Sequence, residues 1–96
     1  MTTTEKDQKN LMAGAWSEYI CMNKQAEQVF NEVEMPLGVS YKPVAFSSQL
    51  VAGMNFRFFC NSKVIYPHSL NSAAIVSIFK PLEGKAVLTS ITPIHL

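Results

Sequence analysis

The sequence predicts an α+β fold, with one helix packed across a curved antiparallel sheet of four or five strands. Three observations lead there. Apolar residues recur at steps of three and four between Tyr19 and Val33, the period of a helix face. Beyond Pro43 the period falls to two, the period of a strand. Breaks containing Gly or Pro then divide the alternating part into two consecutive hairpins. A chain of 96 residues forms one domain with a thin core. With 48% hydrophobic residues and six Phe, burial can still offset much of the chain entropy, since each buried Phe or Leu contributes about 1.5–3 kcal/mol.

Residues 1–10 are polar and aperiodic and read as a flexible tail, leaving 11–96 as the domain. Leu11 to Trp16 is apolar without helical or alternating order, so it needs a partner surface. Two readings fit the next stretch. In one, Ser17 caps a helix whose stripe is Tyr19, Met22, Ala26, Val29 and Val33, with Phe30 beside it. In the other, Glu18 to Met22 is a short strand and Asn23 caps a shorter helix. In both, Lys24, Gln25, Glu27, Gln28, Asn31 and Glu32 form the solvated side, and Pro36 and Gly38 end the segment. Val44 to Val51 and Met54 to Cys60 alternate around a break at Gly53, which predicts a hairpin. Asn61 to Asn71 reads as a long connection. Ala74 to Phe79 and Val87 to Ile91 form the second hairpin around Pro81–Lys85, and Pro93 ends the last strand. Phe56 and Phe58 belong to the core, Trp16 reads as a core anchor, and Arg57 falls on the solvated face of its strand.

The chemistry of the chain excludes more than it assigns. A net charge of +1 with no run of Lys or Arg argues against nucleic acid or an anionic membrane as partner. The first ten residues lack the apolar centre of a signal peptide, and no stretch approaches the ~20 apolar residues of a membrane span, so the expected compartment is the cytoplasm. Cys21 and Cys60 are too few for a disulfide framework, although a single bridge between them fits the count. His68 and His95 stand at no metal-ligand spacing from a Cys, Asp or Glu. A Cys60–His68 thiolate pair is the one catalytic constellation available, and nothing in the sequence orients its histidine. The chain therefore reads as a non-enzyme, with no catalytic residue, cofactor or metal.

Three stretches carry a resemblance to a known family. They are Gly14 followed by Trp16-Ser17-Glu18, the motif Gln49-Leu50-Val51-Ala52-Gly53, and Ile78-Phe79-Lys80-Pro81-Leu82-Glu83-Gly84 with Val87-Leu88-Thr89. Their order and content resemble the cystatin superfamily, and within it the stefins. The second stretch fits that family's Gln-x-Val-x-Gly motif. The resemblance implies a reversible, noncovalent inhibitor of papain-like cysteine proteases. It implies a wedge made of a trunk at Gly14 with Ala13 and Ala15, a first loop at Gln49, Leu50, Val51, Ala52 and Gly53, and a second loop at Leu82, Glu83 and Gly84. An exposed strand edge and the hairpin loop are suited to swapping between chains, so the expected state is a monomer or a domain-swapped homodimer.

Three departures from the family pattern matter, one of them a stretch from Gly53 to Gly84 that is longer than in stefins, chiefly around Ile65-Tyr66-Pro67-His68-Ser69. The stretch from Gly14 to Gln49 is shorter than in stefins by roughly two helical turns, enough to remove the first strand. Glu83 stands where the second loop usually carries proline, and a carboxylate there opposes burial. The alternative is thus a non-inhibitory protein-binding module on the same scaffold. At Gly53, a bulky replacement is expected to weaken binding without unfolding the protein.

Overall fold

The computed structural model describes residues 14–94. The predicted tail, the apolar Leu11–Ala13 and His95 lie outside them. Strand β1 is Ile20–Cys21, helix α1 is Lys24–Asn31, and strands β2 to β5 are Val39–Val51, Gly53–Val64, Asn71–Lys80 and Val87–Ile94. The five strands form one antiparallel sheet in the order β1-β2-β3-β4-β5, with α1 against one face. The architecture is α+β.

Of the two helix starts, Asn23 is the one used. Its Oδ1 accepts the Ala26 N–H at 2.8 Å, which satisfies a helix-terminal donor that has no partner within the helix. Ser17 caps nothing, because its groups pair with β2 instead. The Ser17 N–H donates to the Ser48 carbonyl at 2.8 Å, and the Ser48 N–H donates to Ser17 Oγ at 3.0 Å. The expected loss of the first strand also does not occur, since Ile20 and Cys21 pair with Phe46 and Ala45. Tyr19 is 44% exposed and lies outside the core stripe. The buried part of that stripe is Ala26, Val29 and Phe30.

The core lies between α1 and the sheet. Phe46, Phe58 and Val76 are direct cross-strand partners, as are Phe56 and Ile78, so alternation puts all five on one face. The ring of Phe30 meets that of Phe58 edge-on at 5.1 Å, and Phe56 stacks on Phe58 at 5.6 Å. Cys60 is buried among these residues. Cys21 is exposed, and both cysteines are free, so no bridge joins them.

The strands run further than their alternation showed. β3 continues to Val64, and the predicted long connection shrinks to the segment between Val64 and Asn71. β2 begins at Val39 and passes through Pro43, where the register shifts and Val44 is left without a partner. β1 covers only Ala45 and Phe46 of β2, so Pro43 sits where β2 is an edge and its missing N–H leaves no gap in a ladder. β5 likewise continues through Pro93 to Ile94, since it too is an edge strand. Helix α1, with 8 residues, is about 12 Å long and cannot cover strands of 12 and 13 residues, which span about 40 Å.

Candidate functional site

Trunk, first loop and second loop meet at one end of the sheet. β2 turns into β3 with only Ala52 between the partners Val51 and Gly53. The next register position of β3, Met54, pairs with Lys80, the last residue of β4, so the turn from Pro81 to Ala86 lies beside the first loop. On the other side, the Gly14 N–H donates to the Leu50 carbonyl at 3.0 Å, and Trp16 forms an isolated antiparallel bridge with Gln49. The side-by-side order trunk, first loop, second loop follows from strand order alone.

The individual residues divide into two groups. Val51, Ala52, Leu82, Glu83, Gly84 and Gly14 are exposed. Leu82 stands out at 81%, a poor choice for water and a suitable one for sealing a groove. Leu50 is only partly exposed. Gln49 and Gly53 are occupied inside the protein. Gln49 Nε2 donates to the Gly14 carbonyl at 3.2 Å, and Gln49 Oε1 accepts from Asn55 Nδ2 at 2.8 Å. Gln49 thus ties the trunk to the hairpin. Gly53 is buried with φ +114°, a conformation that side-chain-bearing residues rarely adopt. A Cβ there would stand 2.5 Å from the Lys80 carbonyl oxygen and 3.1 Å from the Phe79 ring. The motif glycine is what lets β3 approach the end of β4. The expectation that a bulky residue at 53 spares the fold is therefore corrected by this contact.

Two further groups shape the site, and both read as solvated in the sequence. Glu32, just past α1, reaches the second loop. Its Oε1 accepts the Ala86 N–H at 2.8 Å and Lys80 Nζ at 3.0 Å, and Lys80 Nζ also donates to the Gly84 carbonyl at 2.9 Å. Lys80 thereby joins the helix end, the second loop and, through its carbonyl, the wall against Gly53. A carboxylate and an amine 48 residues apart leave no periodic trace. The second group is Arg57, whose guanidinium carbon lies 3.7 Å from the centroid of the Trp16 ring. Trp16 is accordingly a clamp on the sheet surface and not a core anchor.

The Ala86 N–H and then Lys80 hold the Glu32 carboxyl below its ordinary value of 4.5. A carboxylate favoured by folding stabilises the protein above about pH 4.5, and that contribution is lost as pH falls through the lower folded value. On acidification below pH 4.5, the wild-type Tm is expected to fall more steeply than that of Glu32→Gln. Equal slopes in a pH series of thermal melts would contradict the clamp.

Cys60 offers no nucleophile. Burial pushes its thiol up to about 12, and its S–H donates to the Phe58 carbonyl at 3.6 Å, so at neutral pH it is the unreactive thiol. His68 is exposed in the β3–β4 turn. Among the described residues, no group of three or more His, Cys, Asp or Glu is placed to hold a metal, and no helix is long and apolar enough to cross a membrane. No family model, curated protein or solved structure matches the chain.

Proposed function

We propose that the protein is a reversible, noncovalent inhibitor of papain-like cysteine proteases, with a stefin-like arrangement of trunk and two hairpin loops. The observation that supports this best is the alignment of Gly14, Val51–Ala52 and Leu82–Gly84 along one end of a five-stranded sheet backed by a helix. The three stretches that resemble stefins are far apart in sequence, and strand pairing puts them side by side. Each is held from behind: the trunk by Gln49 and Trp16, the first loop by the Gly53–Lys80 contact, the second loop by Glu32 and Lys80. An edge already ordered in the free protein loses little entropy on entering a cleft.

The test is inhibition of papain by the full chain, with Val51→Asp as the probe. Val51 is exposed, so the variant is expected to keep the wild-type Tm. A charge driven into an apolar contact at the centre of the interface is expected to raise Ki by about 30-fold or more. A full-length protein that leaves papain unaffected at micromolar concentration overturns the reading. Glu83, exposed on the second loop, favours a second reading in which the same edge binds a protein other than a protease. Retention of a non-protease partner on the wild type, lost in Val51→Asp, in a protein inert toward papain, would select it.

A further inference from the structure

A cavity of about 230 Å³ lies beside the row of side chains on the sheet face opposite α1, lined by Arg57, Ser77, Thr89 and Ser90 together with the apolar Trp16, Phe56 and Ile78. Register explains its make-up. Ser47, Arg57, Ser77 and Ser90 are successive cross-strand partners from β2 to β5, so they form one row on one face. The strand pairing of β5 shifts beside this row, between Ser77 and Ile78, and brings Thr89 to its end. Trp16 closes the row from above by lying on the guanidinium.

Arg57 is the unusual member. Its Nε is buried and has no hydrogen-bond partner. Among the described residues the one ion pair is Lys80–Glu32, so the guanidinium charge is not matched by any carboxylate there. A buried, unpaired N–H on a charged group is costly and rare. Stacking on Trp16 engages the face of the guanidinium and leaves its in-plane donors to be satisfied. Hydroxyls of Ser77, Thr89 and Ser90 supply further donors around the same space. Arg57 Nε itself is closed to solvent, so a ligand entering the cavity would meet the terminal Nη donors of the guanidinium.

We propose that this cavity is a carboxylate-binding site, filled by a small organic acid or by an acidic side chain of a peptide. One fixed positive charge matches one negative charge, and the planar guanidinium fork fits a planar carboxylate in a bidentate pair. A dianionic phosphate would leave a charge unmatched in a partly buried site. The cavity shares Trp16 with the trunk, but a titration without papain reads carboxylate binding directly, so its result does not depend on the inhibitor reading.

The experiment is an NMR titration of the isotope-labelled full chain, following the Arg57 Nε–H and Trp16 indole resonances. Sodium acetate is expected to shift both saturably, with a Kd of about 10 mM or lower, while chloride and phosphate at equal ionic strength do not. A blocked Ala-Glu-Ala peptide that binds tighter than acetate, with Ala-Gln-Ala inert, assigns the ligand to a peptide side chain. Weaker binding than acetate assigns it to a small acid. Ser90→Ala, at an exposed edge position, is expected to weaken acetate by about 5-fold. Arg57→Gln is expected to abolish the Trp16 shift. No saturable movement in the wild type, or an equal response to chloride, overturns the proposal whatever the variants do.

Discussion

Replacing Gly53 even by alanine is expected to destabilise the protein by about 3 kcal/mol or more, and valine is expected to cost little beyond that. The offending atom is the Cβ itself. It would stand 2.5 Å from the Lys80 carbonyl oxygen, a backbone atom that cannot turn aside, in a conformation with φ +114°. Relief requires β3 to separate from β4 near the pair Met54–Lys80. That shift would disturb both loops together, because Lys80 also holds Gly84 and Glu32. For a domain of this size, 1 kcal/mol corresponds to about 4–8 °C, so Tm is expected to fall by more than about 12 °C. Any inhibition should fall with it. A Gly53→Ala protein that melts within about 2 °C of wild type would show that the close approach is not needed. The comparison with Val51→Asp is informative, since that variant should lose binding at unchanged Tm.

Phe58→Ala is expected to cost about 3–5 kcal/mol. Phe58 is fully buried, and its ring meets those of Phe30, Phe56 and Phe46 at centroid distances of 5.1, 5.6 and 6.2 Å. Truncation removes the contact between α1 and the middle strand of the sheet. With only 8 residues, α1 has little stability of its own and depends on this packing. The loss should therefore appear as a lower urea midpoint accompanied by weaker helical circular dichroism. Phe59 is the control. It is its neighbour in the chain but lies on the opposite face, beside Ala45 and Ile75, and is only partly buried. Phe59→Ala is expected to cost less than half as much. Equal costs at 58 and 59 would mean that the face carrying α1 has been assigned wrongly.

The first hairpin was legible in the residues because its evidence is local. Alternation has the same period on both sides of Gly53, and a single glycine marks the break. Phe56 and Phe58 were placed in the core for the same reason. The start of the helix was not legible. Ser17 and Asn23 are both sound caps, and the choice depends on Ser17 finding Ser47 and Ser48 some thirty residues away, where Ser47 Oγ donates to the Ser17 carbonyl at 2.6 Å. The strands extend beyond their alternation at Pro43, at residues 61–64 and at Pro93. Proline and polar residues weaken a strand pattern, yet edge positions tolerate them.

Sequence by itself determined the class of the fold, the middle of the helix stripe from Ala26 to Phe30 and the order of the three loop stretches, since all of these follow from periods and breaks within a few residues. Tertiary structure decided what the candidate site residues touch. Strand order puts Gly14, Val51 and Leu82 at one end. Contact with Lys80 turns the motif glycine from a presumed binding tip into a packing requirement. Glu32 and Arg57, both solvated residues by local pattern, become the anchor of the second loop and the base beneath Trp16. The physical reason is the same in each case. A charge or a missing side chain acquires its role from the group it meets, and that group is supplied by a strand distant in the chain.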